Sequence, residues 1–285
     1  MAAFWMIAAS LLFACMGVCV KLGSARYSAA ELVFYRGSIS CVLVFAYVRF
    51  SGLRLWTPHW RVHLSRSGAG FVSLVLYFYA ISLIPLATAV TLNYTSPIFM
   101  ALLLVFWRGE RVRPLMFLSV GGGLAGVALL LQPALHSGQM LGALLGLASG
   151  MGASVAYLNV RRLGELGEPE WRTVFFFSLV ATLGGLPWVL AKMSFHAVDA
   201  EGGLLLLGVG GLGALAQLCM TRAYKQGRTV ATATLAYSTV IFSSLFGVWI
   251  WGEQLALVAW LGIALIVASG GLTSILARAA PLEQD

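Results

Sequence analysis

Three observations predict an all-α integral membrane protein, with ten transmembrane helices in two inverted five-helix repeats. Of the 285 residues, 60% are hydrophobic and only 10% are charged, too few polar side chains to cover a soluble domain of this size. The apolar residues fall into ten long runs. One 32-residue stretch is also written twice: residues 79–110 and 222–253 align without a gap at an offset of 143. Ten positions are identical, among them Thr91/Thr234, Tyr94/Tyr237, Gly109/Gly252 and Glu110/Glu253, where roughly three matches would be unremarkable in such a composition.

A spanning helix needs roughly 20 mostly apolar residues. The runs that qualify are 3–21, 31–48, 67–84, 87–106, 114–132, 139–159, 173–191, 203–221, 229–250 and 256–276. No basic region precedes the first, so Met1–Val20 reads as a retained span and not a cleaved signal. Connections 85–86 and 251–255 read as tight helical hairpins. None of the runs alternates polar and apolar residues as membrane strands do. Span four is interrupted by Asn93, Tyr94, Ser96 and Pro97. Val240 stands where that proline would recur, so span nine reads as unbroken. In span seven, Gly184 and Gly185 precede Pro187, which frees the carbonyl of Leu183 and gives a point of flexure. Glycines at helical spacing (Gly122 and Gly126; Gly142, Gly146 and Gly150; those within 208–213) read as close helix contacts. Cys15, Cys19, Cys41 and Cys219 lie inside apolar runs and read as small packing residues.

Loop charge sets the orientation. With the N-terminus cytoplasmic, 14 of the 18 Lys and Arg fall on the cytoplasmic side, including Arg61, Arg66, Arg161, Arg172, Arg222 and Lys225; only Lys21, Arg26 and Lys192 fall opposite. That is a positive-inside pattern, and it places both termini in the cytoplasm. It also accounts for the net charge of +8 without a nucleic-acid partner. Five spans lie in residues 1–133 and five in 139–277, with a short tail at 278–285. An odd number per half means that the halves enter the membrane from opposite sides, the inverted-repeat plan of secondary transporters.

At this point the chain resembles the drug/metabolite transporter superfamily, of the EamA type, over essentially its whole length. The resemblance rests on two five-span repeats, on the Leu32-to-Arg36 pattern at the start of span two, and on Tyr79-Ala80 followed by a Thr-rich span with Pro97. It rests most specifically on Gly109-Glu110-Arg111 at the end of span four, mirrored by Gly252-Glu253-Gln254. Such a resemblance implies export of small metabolites, often amino acids, from the bacterial cytoplasm across the inner membrane. It implies alternating access through a central cavity lined by spans one to four and six to nine.

The candidate substrate-binding residues sit where polar groups interrupt the spans. Pro97 frees the carbonyl of Asn93 at mid-membrane depth, tolerable only where it faces protein or water. Asn93, Tyr94, Ser96 and Pro97 therefore read either as a substrate-binding hinge or as a proline kink packed on a neighbour. Tyr237 and Ser238 hold the equivalent depth in the second half. Tyr77 and Tyr79 in span three, Tyr157 in span six, and Gln217 and Met220 in span eight complete the set. Tyrosines at these positions can hydrogen-bond a polar solute or stack on an aromatic one, and each reads equally as core. Trp5 reads as cavity surface or as an interface anchor. Glu31 and Arg36 near the outer end of span two read as a gate or as a structural ion pair. The two Gly-Glu ends read as helix closures.

The sequence holds no nucleophile–base pair at depth, nucleotide-binding loop or metal-ligand cluster. An enzyme, a cofactor, a metal and an ATPase subunit are accordingly not expected; the partners are a small solute and the bilayer. His59, His63, His136 and His196 all read as loop residues. With no titrating group mid-span, transport reads as facilitated diffusion, or as coupled through Glu31. The competing functions are an exporter or flippase of drugs, nucleotide sugars or lipid-linked metabolites on the same fold, and a non-transporting membrane scaffold.

Overall fold

The computed structural model describes residues 1–84, 86–109, 114–132, 139–192, 195–252 and 254–279. These form twelve helices and, among the described residues, no strand: α1 (Ala2–Gly23), α2 (Ala29–Phe50), α3 (Trp60–Leu83), α4 (Leu86–Asn93), α5 (Ser96–Arg108), α6 (Pro114–Leu131), α7 (Met140–Glu165), α8 (Glu170–Lys192), α9 (Ala200–Gln226), α10 (Thr229–Leu235), α11 (Ser238–Trp251) and α12 (Leu257–Ala279). Among the described residues, nine helical segments are long and apolar enough to cross a membrane, counting α4–α5 and α10–α11 as one span each. Large apolar side chains such as Phe4, Val42, Leu118 and Trp249 are exposed, the surface that lipid solvates.

Twelve helices replace the ten runs because both copies of the repeated stretch are broken. The first gives way at Tyr94–Thr95 and the second at Ala236–Tyr237. The expectation of an unbroken ninth span is thus corrected: the chain turns there without a proline. Each piece that follows ends alike, with Gly109 and Gly252 in the left-handed region at φ 67° and 66°. Glycine adopts that conformation without the steric cost a Cβ brings, and it closes a helix C-terminus. Glu110 and Glu253 lie outside the described residues. Pro187, by contrast, does not interrupt α8, which runs continuously through it.

The chain forms two compact units, Met1–Phe71 with Asn159–Gln226, and Val72–Leu158 with Gly227–Asp285. Each draws on both halves of the sequence, so compact units and repeat halves are different partitions of the chain. In the first unit α1 packs on α9, and α2 on α8 and α9. In the second, α6 packs on α12, and α10 on α5, α6 and α12. The pairs α2–α8 and α6–α12 join corresponding elements of the two halves. Small residues set the closest approaches. A Cβ on Gly126 would lie 2.8 Å from the backbone oxygen of Gly262, and one on Gly262 would lie 2.6 Å from that of Gly126. Along α7, Gly142, Gly146 and Gly150 receive Ile84, Leu92 and Thr95. Gly122 meets nothing within 4 Å, so of the α6 glycine pair read as packing residues only Gly126 is one.

Candidate functional site: paired helix breaks and a buried polar chain

The two breaks come together in the second unit. Tyr94 and Tyr237 stand with ring centroids 5.9 Å apart at 50°. The Tyr94 phenol hydrogen-bonds Thr239. Asn93 donates from Nδ2 to Ser149 Oγ at 2.9 Å, and Ser149 in turn donates to the carbonyl of Gly146 at 2.6 Å. Thr95 Oγ1 donates to the carbonyl of Leu92 at 2.5 Å, and Ser238 Oγ to that of Leu235 at 2.5 Å. Thr95 and Ser238 thereby satisfy backbone acceptors at the breaks that a continuous helix would have satisfied itself. Ser96 is buried at the start of α5, with Pro97 beside it in the first turn, where a missing N–H costs nothing.

The two tyrosines differ in kind. Tyr94 is partly exposed, whereas Tyr237 is fully enclosed among Val127, Leu130, Val240, Ala259 and Ile266. Its hydroxyl meets no hydrogen-bond partner among the described residues, and its ring lies so near Gly123 that a Cβ there would approach it to 2.6 Å. Tyr77 packs against Ala80, Ile84 and Ala89, and Tyr79 is 58% exposed. Tyr157 is partly buried.

Gln217 and Met220 lie in the first unit, both buried on α9. The partner of Gln217 is a residue that sequence reasoning had put in a loop. Arg66 lies inside α3, is 2% exposed, and donates from Nη2 to Gln217 Oε1 at 3.0 Å. Its guanidinium lies 4.0 Å from the centroid of the Phe177 ring, a cation–π contact. One turn earlier on the same helix, His63 is fully buried, which corrects its reading as a loop residue. Its Nε2 stands 3.3 Å from Glu168 Oε2, and its ring 4.7 Å from that of Phe176. Glu168 also accepts from Thr57 Oγ1 and from Arg172 Nη1 at 2.7 Å. A sequence signal for this early helix start existed: Thr57-Pro58 has the form of a capping residue followed by an N1 proline. Thr57 Oγ1 indeed accepts from the His59 N–H at 3.0 Å.

At the other end of α2, Glu31 is fully buried. Its carboxylate accepts from the backbone N–H of Ser28 at 2.8 Å and of His196 at 2.7 Å, with His196 Nδ1 at 2.9 Å. The Glu31 carboxylate is thus bound to the α8–α9 connection and to its own capping box with Ser28. Arg36 lies against Gly213, beside Met16. Arg26 fastens the same end, pairing with Asp199 at 2.9 Å and Glu201 at 2.6 Å. Trp5 lies under Arg222, 4.5 Å from ring centroid to guanidinium carbon.

Described residues that are helical throughout their regular elements, with apolar spans of membrane length and two of them broken at matching positions in a repeated stretch, have the build of a multi-pass membrane transporter. The chain belongs to the EamA-like transporter family, whose model matches it twice, at residues 1–132 and 140–275. Among curated proteins it is 32% identical to the pseudopaline exporter of Pseudomonas aeruginosa over 87% of this chain and 86% of that one. It is 24% identical to a riboflavin transporter of Brucella anthropi over 93% and 95%. It is 22% identical to an S-adenosylmethionine uptake transporter of Rickettsia bellii over 82% and 79%. A crystal structure superposes with a TM-score of 0.85 over 99% of both chains, at 25% identity.

Proposed function

We propose that this transporter exports small organic solutes, amino acids and aromatic ones among them, from the bacterial cytoplasm across the inner membrane by alternating access. The observation that carries the reading is the break at Asn93–Thr95. It is held open by Ser149 and Thr239 and leaves the partly exposed Tyr94 at mid-span. An amide, a phenol and loosened backbone carbonyls at that depth suit a solute with both an ammonium group and an apolar or aromatic body. Tyr237, enclosed beneath it, acts as the floor of the break and not as a solute contact. Export is supported by the pseudopaline exporter among the relatives, and inward-facing termini by the loop charge.

The test is uptake of radiolabelled amino acids into proteoliposomes. We expect saturable uptake of at least one aromatic amino acid, reduced about tenfold in Asn93→Ala and in Tyr94→Ala, with both variants retaining the wild-type melting temperature within about 3 °C. Wild-type rates in both variants would remove the break from the binding site. A second reading, a larger heteroaromatic metabolite, is favoured by the facing tyrosine rings and by the riboflavin transporters among the relatives. Riboflavin belongs in the same panel, and uptake of it with no amino acid transported would select that reading.

A further inference from the structure

We propose that His63 and Glu168 form a buried proton-binding site, linked through Arg66 to Gln217, by which transport is coupled to protons. The inference rests on the transporter reading above and adds to it the coupling ion, which the sequence left without a candidate at this end of the spans.

The site has the form of a protonation switch and not of a satisfied structural histidine. A buried imidazole that serves only packing has both ring nitrogens paired. Here Nε2 stands 3.3 Å from Glu168 Oε2 within ion-pair reach, yet neither ring nitrogen, both fully enclosed, meets a hydrogen-bond partner among the described residues. With Nε2 carrying the proton toward Glu168, Nδ1 is left with an unused lone pair. That lone pair is the atom a further proton would occupy. Glu168 is in the meantime kept ionised by donors from two directions, Thr57 ahead of α3 and Arg172 on α8, with the His63 ring 3.3 Å away.

The charged and titratable groups facing the imidazole pull in opposite directions. Burial disfavours the imidazolium, Glu168 favours it, and Arg172 and Arg66 disfavour it; the result lies below the ordinary histidine value. Beyond them, Lys225 reaches the backbone carbonyl of Glu168 at 3.2 Å and the carboxylate of Glu170 at 3.8 Å. A conformation that admits water to the ring, or draws either arginine away, returns His63 toward its ordinary value, and a proton is taken up. The difference between the two values is the coupling free energy. The link to Gln217 runs along one helix face. His63 and Arg66 are three residues apart on α3, so an imidazolium repels the guanidinium that holds Gln217.

Two measurements test this. In protein labelled at histidine and held in nanodiscs, the His63 resonance is assigned by its loss in His63→Gln and titrated by NMR. It should titrate below the ordinary histidine value, and lower still in Glu168→Gln, which removes the one group favouring the charged ring. An ordinary midpoint, or one unmoved by Glu168→Gln, overturns the site. In proteoliposomes loaded across the same amino-acid and riboflavin panel, a pH gradient of one unit should change the wild-type initial rate at least threefold. His63→Gln should keep uptake without a gradient and lose the response to it. An equal response in His63→Gln, or an indifferent wild type, overturns the coupling. Absence of uptake for every probe would sink the proposed substrates, and the titration would still decide the proton site by itself.

Discussion

At the scale of single residues, the most consequential side chain is one that length-of-run reasoning overlooks. Arg66 stands one position before the apolar run at 67–84 and was counted with loop charges. The helix starts at Trp60, and the guanidinium is buried on Phe177 and Gln217. A hydrogen bond to a buried charge contributes about 1.5–3 kcal/mol. Gln217→Leu should therefore lower stability by about 2 kcal/mol, measured as a fall in the melting midpoint in detergent. Gln217→Glu, which keeps an acceptor toward Arg66, should sit close to wild type. Ser28 offers a second reading at this scale. Its hydroxyl accepts from the Glu31 N–H at 3.3 Å in the capping box of α2, so Ser28→Ala should cost about 1 kcal/mol. Faster hydrogen exchange confined to the first turn of α2 would report that loss, and an unchanged exchange rate there would count against it.

Among the elements, the glycines sort into those that matter and those that do not. At the crossing of α6 and α12, Gly126 and Gly262 face each other's backbone oxygens, and backbone cannot yield as a side chain can. Gly126→Ala should cost about 1–3 kcal/mol by overpacking. Gly122→Ala, one turn away in open space, should be neutral or more stable by up to about 1 kcal/mol, because alanine is the better helix former. Thermal denaturation of the two variants side by side gives the comparison, and equal losses would contradict it. The sequence showed the glycine stripe but not which member touches a neighbour, since that depends on how the helices are rotated. The same limit hid the second break. A proline announces a kink in α4–α5, whereas the turn at Ala236–Tyr237 has no residue that forbids a helix. At that turn Tyr237 packs among α6 and α12 side chains, a tertiary arrangement that spacing cannot display.

Over the whole molecule, the class of fold was legible because bilayer thickness dictates run length and loop charge dictates sidedness. The interleaving of the halves into two units was not, because helix partners 150 residues apart, such as Ser119 and Ser269, leave no local trace. The sequence also located Asn93 and Tyr94 in the break, but gave no sign that Tyr237 is enclosed and Tyr94 is not. Stability against acid belongs at this scale. His63 lies below its ordinary value, so its contribution is complete above about pH 6.5 and is lost as pH falls below that. Glu168 is raised by burial but lowered further by Thr57, Arg172 and His63, and the net value is low. Its contribution is complete above about pH 4.3 and is lost as pH falls through its depressed value. The melting temperature should therefore decline in two steps on acidification. His63→Phe should remove the upper step and Glu168→Gln the lower, each read from a pH series of thermal melts. A single step surviving both substitutions would place the acid sensitivity elsewhere.

The buried guanidinium on α3 also has a consequence for biogenesis. Phe177 and Gln217, which receive Arg66, lie 111 and 151 residues further along the chain. Neither contact can form until α8 and then α9 have left the ribosome. An arginine near the end of a hydrophobic helix snorkels to the interface until a buried partner is present. During synthesis α3 must therefore wait at the water interface or inside the insertion machinery, with its final depth set only when the later helices arrive. A cysteine engineered beside Trp60 and probed with a water-soluble maleimide, in chains truncated before and after α9, should report two different depths for the same helix.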